Sequence, residues 1–171
     1  MADELSVATR FLTCGVLPSP MDYSRAVEMD EERVVEFLGN GGTGVASFAR
    51  GTEEAPHSIP VSYGFDAETG HLFFRFAFGP DSAKRDVVSA DTPVSFVTYD
   101  DPEGRWESVV ATGRLESVDD VDVAEGVLES LRRVDIPMVD VFETEPRTLS
   151  FEFFRLDPET LTGRTETLSD D

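Results

Sequence analysis

Residues 56–88 read PHSIPVSYGFDAETGHLFFRFAFGPDSAKRDVV, and they decide the fold. Ile59, Val61, Tyr63 and Phe65 alternate with Ser58, Pro60, Ser62 and Gly64, the period of two that marks a strand with one buried face. Asp66 to Gly70 predicts a hairpin loop closed by glycine. The returning strand, His71 to Phe78, sets Leu72, Phe74, Phe76 and Phe78 on one face and Phe73, Arg75 and Ala77 on the other. Ser82-Ala83-Lys84-Arg85 follows, and Lys84 is the only lysine of the chain.

Two readings of that basic pair stand side by side. Asp81 or Ser82 can cap a short helix over residues 81–90. Its free amide donors, with Lys84, Arg85 and the nearby Arg75, would then collect an anion such as a phosphate. Alternatively, Lys84 and Arg85 pair with Asp81 and Asp86 on a solvated helix face.

Outward from this hairpin the chain predicts further strands at Thr43–Arg50, Thr92–Tyr99, Trp106–Ser117 and Thr148–Leu156. Asp30 is a plausible cap for a helix through Leu38, with acids in its first turn and a Gly-Asn-Gly-Gly stop. A longer helix is expected over Asp119–Val134. Six strands joined mostly as hairpins, with flanking helices, favour a mainly β chain: a six-stranded antiparallel barrel rather than a doubly wound parallel sheet. Residues 1–25 lack a sustained period and read as an extension, residues 26–164 as one domain and residues 165–171 as an acidic tail, with polar character already from Asp157.

The 171 residues carry 35 acidic and 14 basic side chains, a formal net charge of −21. Self-repulsion at this density strains a compact fold in dilute salt, and molar salt, with a Debye length of about 3 Å, screens it. An acidic, lysine-poor chain with 13 phenylalanines therefore suggests a salt-accumulating, halophilic source. The same charge argues against nucleic acid and anionic membranes as partners. No apolar run is long enough to span a bilayer, and Asp3 and Glu4 stand where a signal peptide carries positive charge, so the expected location is cytoplasmic. Cys14 is alone, which leaves no disulfide within the chain and no cysteine cluster for a metal.

The order of elements resembles the pyridoxamine 5′-phosphate oxidase-like family of FMN-binding split barrels from about Asp30 to Gly163. The resemblance rests on Gly44-Val45-Ala46-Ser47, Ile59-Pro60-Val61-Ser62-Tyr63, Leu72-Phe73-Phe74-Arg75 and Ser82-Ala83-Lys84-Arg85. It continues through Pro93-Val94-Ser95-Phe96, Trp106-Glu107-Ser108-Val109-Val110 with Gly113, and Phe153-Phe154-Arg155-Leu156-Asp157-Pro158. It implies a non-covalently bound FMN. Ile59, Pro60, Val61 and Ser62 would lie along the flavin ring, Arg75, Phe76 and Ala77 towards the ribityl-phosphate side, and Ser82, Lys84 and Arg85 at the phosphate. It also implies a homodimer with flavin at the interface, to which Trp106 and Ser108 would contribute from the partner; Trp106 could equally fill core.

Departures bear on activity. Oxidases of pyridoxamine phosphate carry arginine and lysine on the second strand and a basic C-terminal segment; here stand Ile59-Pro60-Val61 and an acidic tail. Vitamin B6 oxidation is therefore not the expected reaction. An oxidoreductase moving hydride or electrons from a reduced nicotinamide to a small acceptor is. A redox-sensing flavin binder without turnover and a deazaflavin-dependent reductase are the alternatives. His57 and His71 could serve haem or proton transfer in such a barrel, but exposed strand-edge histidines are the simpler expectation. Asp100, Asp101, Glu103 and Glu107 surround a Pro-Gly loop without the spacing of a calcium site and read as hydrated surface. No nucleophile, serine elbow or paired metal ligands stand out, which suits chemistry carried by a cofactor.

Overall fold

The computed structural model describes residues 25–80, 82–118, 135–136 and 150–167. Among these residues, seven strands and one α-helix run in the order β1 (Arg25–Glu28), α1 (Glu31–Leu38), β2 (Gly41–Phe48), β3 (His57–Asp66), β4 (His71–Phe78), β5 (Pro93–Asp100), β6 (Glu107–Ser117) and β7 (Ser150–Thr167). The pairing order is β1-β7-β4-β3-β2-β5-β6, and β6 also pairs with β7. Six strands thus close on themselves as an antiparallel barrel, and β1 is an extra strand laid along the far end of β7. The expected mainly β split barrel is the fold observed.

The alternation that predicted the strands builds the core. Phe48, Phe74, Phe96, Leu72, Val109, Ala111, Leu115, Phe154 and Leu156 are buried from five different strands. Their rings meet at offset or edge-on angles: Phe74 and Phe96 lie 5.1 Å apart between centroids, as do Tyr63 and Phe96. Gly44 is required at the β2–β5 contact, since a Cβ there would stand 2.5 Å from the Phe96 ring.

Helix α1 closes one end. Asp30 accepts from the Arg33 amide at 2.8 Å as the N-cap, and Val34 and Leu38 turn into the barrel. Gly163 of β7 lets the helix settle, because a Cβ would meet Met29 and Val34 at 2.6 and 2.7 Å. At the helix C-terminus the Tyr63 hydroxyl donates to the Leu38 carbonyl at 3.3 Å, and the Phe65 amide to that of Asn40 at 3.2 Å.

Three expectations differ from the structure. The polar stretch after Asp157 is strand, not tail: β7 continues to Thr167, paired with β6 and β1 across an irregularity between Thr112 and Gly113 that leaves Glu159 out of register. The helix expected over residues 81–90 is a single 3-10 turn, Ala83–Asp86. Glu107 is not hydrated surface but 1% exposed, facing inward with Val109 and Ala111. The helix expected over 119–134 and the extension up to residue 24 lie outside the described residues.

Candidate functional site

The β3–β4 ladder runs only from Asp66↔His71 to Tyr63↔Phe74. Beyond it the partners diverge. Residues 57–62 of β3 stay with β2, while Arg75 to Phe78 of β4 go with β7. Pro60 lies within this stretch; lacking an N–H, it suits a strand with a neighbour on one side only. Along an antiparallel strand, alternate residues turn their N–H and C=O to opposite sides, so the free side of β3 offers main-chain donors and acceptors to whatever fills the gap.

The gap is a cleft of about 760 Å³, within the range of small-ligand sites. Its fourteen lining residues are Thr43, Gly44, Val45, His57, Ser58, Ile59, Pro60, Val61, Ser62, Arg75, Phe76, Ala77, Lys84 and Tyr99. None is a carboxylate, although acids outnumber bases 35 to 14 in the chain. Arg75 and Lys84 bring fixed positive charge from two different elements, and Arg75 also lies over the Phe151 ring at 5.0 Å. Among the described residues Lys84 has no salt bridge to hold it elsewhere.

Eight of the twelve residues named from the sequence meet in this cleft: Ile59, Pro60, Val61, Ser62, Arg75, Phe76, Ala77 and Lys84. Four do not line it. Ser82 uses its carbonyl to accept from the Arg85 amide at 3.1 Å and makes no side-chain cap. With only four residues in the 3-10 turn, the helix N-terminus expected to bind an anion is not formed.

Arg85 turns to β7, donating to Glu152 at 2.7 Å and to Ser150 at 2.6 Å, with its guanidinium 4.5 Å from the centre of the Phe78 ring. Neither Asp86 nor the cleft is its partner. Trp106 fills no core: it is 43% exposed and stacked on Tyr99 at 4.9 Å. Ser108 lies beside it on β6, opposite Tyr99 and Arg164 in register.

Sequence reasoning missed Thr43, Gly44, Val45, His57, Ser58 and Tyr99 as lining. The β2 residues follow from register, since Gly44 and Val45 pair with Val61 and Pro60. His57 and His71 stand at opposite ends of the β3–β4 hairpin, the second 3.9 Å from Asp157, so they do not converge on one group.

A second polar arrangement lies at the mouth of β6. Arg33 of α1 donates to the buried Glu107 from Nε and from Nη2, at 2.6 Å in the shortest contact, and Thr165 adds a hydroxyl donor at 3.2 Å. The Glu107 hydrogen bonds, then those to Glu36, raise the Arg33 pKa further above its already high value. Burial raises that of Tyr63, partly offset by a hydrogen bond with Thr98.

A family model described as pyridoxamine 5′-phosphate oxidase matches residues 30–165. No curated protein matches the chain. Among solved structures, a Corynebacterium glutamicum protein, proposed to be a pyridoxamine 5′-phosphate oxidase, superposes with a TM-score of 0.60 at 19% identity, covering 84% of this chain and all of its own. An FAD binding protein of Mycobacterium smegmatis gives 0.60 at 16% identity, covering 82% and 98%. An FAD-binding protein of Mesorhizobium loti gives 0.58 at 22%, covering 83% and 99%. At these identities the likeness establishes the fold, and with the match over most of its length the chain belongs to the pyridoxamine 5′-phosphate oxidase family.

Proposed function

We propose that the cleft between β3 and β4 binds a flavin, FMN, and that the protein is a flavin-dependent oxidoreductase. The observation that carries the reading is a carboxylate-free cleft with Arg75 and Lys84 at its wall in a chain of net charge −21. In a chain this acidic, a cleft with two cations and no carboxylate favours anions. A phosphate-bearing ligand is the kind it selects. Residues 59–62 suit the other end of such a ligand, for they combine apolar side chains with a strand edge able to hydrogen bond to a heterocycle's polar rim. Relatives of similar fold that bind FAD support a flavin over other phosphorylated rings.

The roles follow from these placements. Lys84 and Arg75 neutralise the phosphate, Ile59 and Val61 exclude water from one side of the ring, and Ser62 and the β3 main chain orient its edge. When bound, a flavin supplies transfer of hydride or single electrons, here between a reduced nicotinamide and a small acceptor, so no side chain need act as acid or base. A deazaflavin with a longer anionic tail would need more cations than Arg75, Lys84 and a histidine provide.

The reading includes a homodimer. Val45, Val97 and Val110 form an outward row across β2, β5 and β6, flanked by the exposed Tyr99–Trp106 pair at the rim of the cleft. A second copy laid on this face would cover the cleft and bring its own Trp106 and Ser108 to it. The acidic, lysine-poor composition supports the cytoplasm of a salt-accumulating cell as its setting.

The test is gel filtration in molar KCl after incubation with FMN, followed by visible absorption of the protein peak and assay with NADH or NADPH. Flavin bands that travel with a dimer-sized peak, and donor oxidation on adding an acceptor, are expected. Protein eluting free of flavin would overturn the cofactor; bound flavin without turnover would leave a flavin-binding sensor in place of an enzyme.

A further inference from the structure

One reading of the sequence takes Lys84 and Arg85 together as two cations for one anion. The structure separates them. Lys84 lines the cleft, whereas the Arg85 guanidinium is engaged on its edge by Glu152 and Ser150 and on its face by the Phe78 ring. A planar guanidinium committed in this way has its fork turned to β7. Ser150 in turn reaches the Phe78 carbonyl at 3.5 Å, and the Ser82–Val88 segment closes on itself through Arg85 N to Ser82 O and Val88 N to Lys84 O, at 3.1 and 2.8 Å. The turn that carries Lys84 is thus fastened at one point to β7, across the end of β4.

We infer that Arg85 and Glu152 form a latch that holds the Ala83–Asp86 turn so that Lys84 projects into the cleft. Arg85 is a positioning residue and does not itself bind the ligand. The inference rests on the flavin reading and deepens it: phosphate affinity depends on an acidic residue of β7 lying outside the cleft. A carboxylate that strengthens binding of an anion is the opposite of what simple charge predicts, and this gives the idea a sharp test. The pair is partly exposed, 46% and 34%, so its contribution to global stability is small, and its effect belongs to the local order of the turn.

The experiment is a double-mutant cycle on the full chain at one fixed KCl concentration. FMN and riboflavin are titrated by flavin fluorescence into wild type, Arg85→Ala, Glu152→Ala and the double variant. The latch predicts that each single variant weakens FMN about tenfold. The double variant does no worse than either single one, and riboflavin affinity and Tm stay unchanged in all. If Glu152→Ala binds FMN as tightly as wild type, Arg85 acts without Glu152, and if the two losses add, the two residues act independently; either result overturns the latch. A loss of riboflavin affinity in step with FMN would make the pair a general support of the cleft and overturn the phosphate-specific role. Wild type that binds neither flavin would overturn the flavin reading and this inference with it.

Discussion

The two halves of one hairpin behave as different materials. From Tyr63 to Asp66 and His71 to Phe74, β3 and β4 are laddered to each other, backed by α1, and packed with rings at centroid separations near 5 Å. From His57 to Ser62 and Arg75 to Phe78 the same strands part, and the space between them is lined by serines, a histidine and two cations as well as by apolar groups. Both halves alternate with the same period, so hydrophobic patterning builds each strand whether or not it keeps its partner. What differs is the unclaimed side of the backbone. In one half the ladder satisfies it; in the other it is left to a ligand or water, which is how a barrel provides a site without a long loop.

The contrast can be broken most severely in the laddered half. Phe74→Ala, at a fully buried ring, is expected to cost about 3–5 kcal/mol in urea unfolding at constant KCl, whereas Ser58→Ala in the parted half should stay within about 0.5 kcal/mol. Next comes the fastening of α1. Glu107→Ala removes the buried carboxylate and leaves the partly exposed Arg33 with Glu36 alone, and should cost about 1.5–3 kcal/mol while FMN affinity is kept.

In the parted half the effects fall on binding. Lys84→Ala should weaken FMN by about 1.5–3 kcal/mol, ten- to a hundredfold, with the unfolding midpoint unchanged. The smallest effect is alkaline. The Tyr63 pKa is raised in the folded state, so the stability it carries is complete below about pH 10 and is lost as pH rises through the folded value. Tyr63→Phe should remove that part of the alkaline loss, at a cost near neutrality of about 1 kcal/mol for the hydroxyl's hydrogen bond. Unfolding curves at pH 7 and above pH 10 would show it.

Local patterns carried most of the barrel. Alternation at Ile59 to Phe65 and Leu72 to Phe78, and glycine at the Asp66–Gly70 turn, are properties of adjacent residues, and they placed β3 and β4; the family resemblance then pointed to seven cleft residues on those strands and to Lys84 after them. Features made by distant residues were not readable in this way. Arg85 finds its partner 67 positions away, so a reading of neighbours offered it a phosphate or Asp81 and Asp86 and could not reach Glu152. The strand from Asp157 to Thr167 looks like polar tail because its proline and charges sit at an irregularity and on outward positions, and only pairing with β6 and β1 makes it strand. Glu107 is a different kind of miss. It shares the parity of Val109, Ala111 and Leu115, so the signal for its burial was present, and the surrounding acids concealed it.

The central claim is that the unpaired stretch of β3 is a flavin-binding edge, and amide hydrogen exchange reads that edge directly. Exchange would be followed in molar KCl with and without saturating FMN. Slowing confined to residues 57–62, 75–77 and the turn around Lys84, with residues 63–66 equally protected in both states, is the predicted result. Protection appearing elsewhere on the barrel, or none along residues 57–62 when FMN is bound, would contradict the account.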